Sequence, residues 1–185
     1  MDGKAEQRSD GELVAAVNRG DWQAFDLLYF RYRDWTFRLA WRFCGSETDA
    51  HDVVQEVFVY LAGKFRTGLD LRAGLTTLLY PAVKHTALAL KKKRARLQPM
   101  AEETDVAAPI LGADVDAVRV ELAAVLRALT EAHREVLLMR FVDDMTLEEI
   151  GAALAVPVGT VKSRLHHALA AVRENPSLRN YFEPP

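Results

Sequence analysis

The sequence predicts an all-α protein of two helical domains joined by a flexible linker. Three observations lead there. Apolar residues recur at helical spacing in segment after segment, and no stretch alternates with the period of a strand. Ser, Thr or Asp opens these segments and Gly or Pro closes several of them. Between the two groups of segments, Gln98 to about Val115 holds Pro99, Pro109, Gly112 and several Ala and Asp without a sustained period, which reads as a tether. The predicted division is a domain over residues 10–97, a linker over 98–117, a second domain over 118–174 and a frayed tail over 175–185.

Taken in order, Ser9 or Asp10 can cap a short helix with Glu12 in its first turn and Gly20 beyond its end. Asp21 can cap a longer helix reaching about Phe43. Its rings (Trp22, Phe25, Tyr29, Tyr32, Phe37 and Trp41) are read mostly as core. Gly45 ends that helix, and Ser46 or Thr48 opens the next, which runs to about Lys64. Val53, Val54, Val57, Phe58 and Leu61 form its apolar stripe, and Asp49, Asp52, Gln55 and Glu56 form an acidic, amide-bearing face. Phe65 to Gly74 reads as a loop. Leu75 to Leu97 returns to helix. A start or a kink is expected near Tyr80-Pro81, because proline is comfortable in a first turn and costs about 3 kcal/mol inside a helix. Val118–Leu129 and Glu131–Val142 are further helices, and Asp143-Asp144 turn the chain.

Met145 to Val172 then reads as two helices and a tight turn. Thr146 and Glu149 have the capping-box spacing. Leu147, Ile150 and Leu154 share a face, and Val156-Pro157 stops the helix. The next helix places Val161, Leu165, Ala168 or Leu169, and Val172 on one side, with Thr160, Lys162, Ser163, His166 and His167 opposite. This suits a helix-turn-helix DNA reader. An ordinary helical hairpin with a solvated basic face has the same pattern.

Composition narrows the class. The chain has 185 residues, 50% hydrophobic and 27% charged, which is globular composition. Its net charge of −2 argues against a protein that simply coats DNA. The charge is uneven, however: the basic run of Lys91, Lys92, Lys93, Arg94 and Arg96 is followed by Glu102, Glu103, Asp105, Asp114 and Asp116. No apolar run approaches the roughly 20 residues that span a bilayer, and the N-terminus lacks a signal-peptide core. No membrane insertion and a cytoplasmic location are expected. The single cysteine, Cys44, cannot form an internal disulfide and reads as a small hydrophobe. There is no glycine-rich phosphate loop, metal cluster or nucleophile–base spacing. The expectation is therefore a non-enzyme with no cofactor and no metal.

Three stretches carry a family resemblance. DAHDVVQEVFVYL (Asp49–Leu61) resembles the DAEDVVQEVFL signature of region 2 in extracytoplasmic-function sigma factors, a branch of the sigma-70 family. LTEAHREVLLMRFVDDMTLEEIGAALAVPVGTVKSRLHHAL (Leu129–Leu169) resembles their region 4, and GDWQAFDLLYFRY (Gly20–Tyr32) the start of region 2. The resemblance covers about residues 10–96 and 118–173 in the family's order. It implies a sigma factor that binds core RNA polymerase through its β′ and β subunits and directs it to promoter DNA. Region 2 would melt and read the −10 element, and region 4 would read the −35 element. An anti-sigma factor is the implied inhibitor. The alternative is a helix-turn-helix regulator that acts without core polymerase.

The resemblance assigns residues to three surfaces. Core binding falls to Asp49, Asp52, Gln55 and Glu56, with Phe58 nearby, on a helix that in the family packs on a β′ coiled coil. The −10 surface takes Phe65 and Arg66 of the loop and Lys84, His85, Lys91, Lys92, Lys93 and Arg94 of the following helix, suited to phosphates and a single strand. Here the family's WL...ARN..LD is replaced by LLYPAVKHTALAL. Leu78 stands for the Trp, His85 for the Asn and Ala89 for the Asp. His85 either bonds a base or caps the helix. The −35 surface takes Gly159 and Thr160 at a helix N-terminus, a natural phosphate site, followed by Lys162, Ser163, His166 and His167. Arg164 points to another side, where pairing with Glu148 or Glu149 competes with a DNA contact. His51 and His133 are read as solvated.

Overall fold

The computed structural model describes residues 8–71, 73–97 and 113–175, and their side chains except at 97 and 113–119. Every element among these residues is an α-helix: α1 (Asp10–Asn18), α2 (Trp22–Cys44), α3 (Glu47–Arg66), α4 (Thr76–Leu97), α5 (Ala113–Ala128), α6 (Glu131–Phe141), α7 (Leu147–Leu154) and α8 (Val158–Glu174). The chain divides into two compact units, residues 1–106 and 107–185. Of the expected tether over 98–117 and tail over 175–185, residues 98–112 and 176–185 lie outside the described residues.

Local chemistry sets the helix ends of the first unit. Ser9 closes a capping box with Glu12, Asp21 accepts from the Ala24 amide, and Ser46, rather than Thr48, accepts from the Asp49 amide. Gly45 ends α2 at φ 69°, a left-handed conformation that costs glycine little. In this unit α2 packs against α1, α3 and α4, and α3 packs against α4. The core is Leu13 and Val17 of α1, Leu28 and Leu39 of α2, Val53, Val57 and Leu61 of α3, and Leu79, Tyr80 and Val83 of α4, all buried. Trp22 departs from the core reading of the α2 rings, as it stands half exposed at 50%.

Two boundaries sharpen the expectation. α4 runs Thr76–Leu97, within one residue of the expected Leu75–Leu97 helix, and the alternative of a start at Pro81 falls away because the proline lies inside it. Leu75, Leu79, Tyr80, Val83 and Ala87 form one buried stripe across the proline, and their packing offsets the lost backbone bond. α5 opens at Ala113 instead of Val118. The segment Ala113–Ala117 is built of Ala, Val and Asp, and acidic residues favour a helix N-terminus.

In the second unit α8 packs against α5, α6 and α7. Val125, Leu129, Leu137, Ala168 and Val172 form one buried cluster, flanked by Leu126, Leu165 and Leu169. Met139, Met145, Ile150 and Val161 are also buried. The α7–α8 turn is tight: the Val156 amide donates to the Gly151 carbonyl at 2.9 Å, and Ala155 adopts φ 53°. A Cβ on Gly151 would stand 3.0 Å from the Val156 carbonyl oxygen, so glycine fits the close approach there.

Candidate functional site

The α3 surface is a ridge left over from packing. Asp52, Gln55 and Glu56 are exposed and share one side by helical spacing. The same side continues to Val59, 73% exposed, and Tyr60, 44% exposed beneath the Lys64 ammonium at 5.1 Å. Sequence reasoning missed Val59 and Tyr60. They lie three and four residues beyond Glu56, so the spacing that grouped the polar residues also reaches them.

Two residues assigned to this face belong elsewhere. Phe58 is buried, edge-on to Tyr29 at 4.9 Å and Phe25 at 6.4 Å. It falls in the stripe of Val54 and Leu61, so the helix period turns it inward. Asp49 is buried one turn before Val53, and its carboxylate takes the Arg94 guanidinium as partner. Arg94 also donates to the Ser46 hydroxyl at 3.2 Å. A buried carboxylate needs such a partner. Beside this pair, burial pushes the Cys44 thiol up to about 11, with Asp49 adding to the shift and Lys91 and Arg94 opposing it. The thiol therefore stays protonated at neutral pH and acts as packing.

At the expected −10 surface the structure separates the residues. Phe65 is no loop residue: it is buried in the last turn of α3, edge-on to Phe25 at 5.9 Å. Arg66 ends that helix, exposed. Gly68 follows at φ 80°. The Asn18 side chain then grips Leu69, accepting from its amide at 3.0 Å and donating to its carbonyl at 2.8 Å. On α4, Lys91, Lys92 and Lys93 are exposed, Lys84 is half-buried, and Arg94 is engaged with Asp49. His85 is exposed in the middle of α4, which removes the helix-capping alternative.

The α8 surface keeps its assigned residues together. Gly159, Lys162, Ser163, His166 and His167 are exposed, and Thr160 is half-buried. Pro157 stands at the N-cap without a side-chain hydrogen bond, so the first turn of α8 has no side-chain cap. Arg164 is half-buried, while the Glu149 carboxylate closes the capping box on the Thr146 amide at 2.8 Å. His133 is not merely solvated. It is half-buried on α6 and stacks on His167 at 5.7 Å, with His166 edge-on to His167 at 5.7 Å. No local sequence signal links residues on two helices, so only the fold reveals this contact.

Comparison with known proteins gives the family and the fold. Sigma-70 region 2 matches residues 28–97, and Sigma-70, region 4 matches residues 125–174. The RNA polymerase sigma-H factor of Pseudomonas aeruginosa is 31% identical, over 90% of this chain and 93% of its own length. The ECF RNA polymerase sigma-E factor of Escherichia coli K12 is also 31% identical, over 91% and 94%. The solved sigma factor RpoE, in complex with the anti-sigma factor NepR from Bartonella quintana, shares the fold with TM-score 0.60 at 16% identity, covering 86% of this chain and 98% of that one. The chain belongs to the extracytoplasmic-function RNA polymerase sigma factors of the sigma-70 family. Its role is that of a sigma factor in transcription initiation, and the family consists of initiation factors that are not enzymes. Among the described residues, no helix is long and apolar enough to cross a membrane.

Proposed function

We propose that the chain binds core RNA polymerase through the α3 ridge of Asp52, Gln55, Glu56, Val59 and Tyr60, and so carries two DNA surfaces to promoters in the cytoplasm. The domains we assign are residues 10–97 and 118–174. The first places Arg66, His85 and Lys91–Lys93 toward the −10 element. The second sets α8 against the −35 element. The N-terminal turn of α8 and Thr160 meet phosphate, and Lys162, Ser163, His166 and His167 face bases or backbone. An anti-sigma factor masks these faces, as NepR accompanies the related RpoE.

The observation that carries the polymerase contact is the exposure of Val59 and Tyr60 beside three polar residues on a helix otherwise given to the core. An aromatic and a branched residue next to charge supply a desolvated centre with electrostatic steering. Co-purification with core enzyme tests it. Gln55→Ala with Glu56→Ala is expected to abolish co-purification while leaving the helical circular dichroism unchanged. Undiminished co-purification would overturn the assignment and favour a regulator working through α7 and α8 alone.

A further inference from the structure

Three of the chain's five histidines meet at one place in the second unit. His133 lies in the first turn of α6, where Thr130 caps the helix by accepting from the His133 amide at 3.3 Å. Its ring stacks on that of His167 with centroids 5.7 Å apart and planes at 26°, and His166 stands edge-on to His167 at 5.7 Å. The contact sits on the rim of the core. Leu137, one turn beyond His133, and Ala168, next to His167, are buried in the same cluster. Both backbones are therefore fixed, and the His133 ring restricts the rotamers open to His167.

The surrounding helices give these rings no counter-charge. On α8 the charged neighbours are Lys162, Arg164, Arg173 and Glu174, and on α6 they are Glu131, Arg134, Glu135 and Arg140. Among the described side chains, α5 adds Glu121 and Arg127, and α7 adds Glu148 and Glu149. None of these carboxylates forms an ion pair with the three rings. Arg134 and Arg140 donate to the Leu129 and Met145 carbonyls, at 3.3 and 3.0 Å. Lys162, one turn before His166, adds a further cation to the same exposed side. Histidine is the side chain that changes charge between about pH 5 and pH 8. Imidazoles this close repel one another when they charge together, and an anion laid against them removes that repulsion.

We propose that His133 is a positioning residue for DNA binding by the second unit: its ring holds His167 at the exposed side of α8, and the cluster with His166 takes a backbone phosphate with uptake of a proton from solvent. This rests on the reading that α8 faces the −35 element. The sign follows from linkage. The bound state favours the charged rings, so binding takes up protons and tightens as the pH falls. A held ring also spares the ordering cost that a free side chain meets on binding.

The test uses full chains reconstituted with core polymerase on a promoter fragment mapped by run-off transcription. Affinity is read by anisotropy at constant ionic strength from about pH 6 to about pH 8. Wild-type affinity is expected to fall about ten-fold across that range. His133→Ala is expected to cut the fall to about two-fold, and His167→Arg, whose charge is permanent, to abolish it. His133→Phe keeps a ring for the stack without a titrating group. It should hold wild-type affinity at about pH 8, where His133→Ala is weaker, and share the shallow pH dependence. Melting temperature should stay at the wild-type value in all three variants, which separates positioning from a loss of fold. A flat wild-type profile, or one that His133→Ala leaves unchanged, would overturn the proposal. Binding by His133→Phe no tighter than by His133→Ala would overturn the positioning role. Weaker binding by Lys162→Ala, or to a fragment with a scrambled −35 block, keeps the −35 reading standing whatever the histidines do. Wild-type binding in both would overturn that reading and the proposal with it.

Discussion

α3 and α8 carry two of the three contact surfaces we propose, and they are built in opposite ways. α3 has 20 residues, a side-chain cap at Ser46, and eight buried positions including an aspartate. α8 has 17 residues, no side-chain cap, and three buried positions. α3 is a wall of its unit, and only a narrow ridge remains for a partner. α8 gives one stripe to the core and leaves Gly159, Lys162, Ser163, His166 and His167 exposed on its other side. On α3, neighbouring substitutions should therefore divide between breaking the fold and breaking the contact. On α8 most surface substitutions should touch binding alone.

The largest effect sharpens the α3 half of that contrast. Leu61→Ala removes a fully buried side chain and is expected to cost about 2–5 kcal/mol in urea unfolding. A loss under about 1 kcal/mol would contradict its place in the core. Next, Asp49→Ala strips the Arg94 guanidinium of its carboxylate. Because Arg94 is half exposed, the loss is expected to be about 1–2 kcal/mol, and Asp52→Ala three residues on should stay within about 0.5 kcal/mol. For α8 the matching change is Lys162→Ala. It is expected to leave stability alone and weaken binding to a −35 duplex by about 1–3 kcal/mol if the lysine reads a base, measured by anisotropy. An equal loss on unrelated duplexes would make it a phosphate contact. The smallest effect is at the turn feeding α8. Ala155→Gly relieves a positive φ and should raise stability by about 1 kcal/mol.

Helix order and type were legible because capping residues and apolar spacing act locally. Thr146 with Glu149 forms the expected capping box, and Ser9, one of two candidate caps, closes a further box with Glu12. The α8 face was legible for the same reason, since its stripe of Val161, Ala168 and Val172 fixes which side is left open. Two features were not. Asp49 looks like part of an acidic face until Arg94, 45 residues away, arrives to balance it inside the unit. Phe65 looks like the start of a glycine-rich loop because glycine marks breaks well and says nothing about where the preceding helix still packs. Tertiary burial decided both, as it did when the α4 stripe carried a helix across Pro81. The Asn18–Leu69 clamp and the His133–His167 stack join distant segments, and no periodicity announces either.

The most direct measurement of the whole account is transcription itself. Core polymerase with the full chain, run on fragmented genomic DNA with transcript starts mapped, is expected to give starts absent with core alone. Those starts should share one sequence block at −10 and another at −35, and should vanish with the Gln55→Ala/Glu56→Ala chain. Starts identical to those of core alone would contradict it.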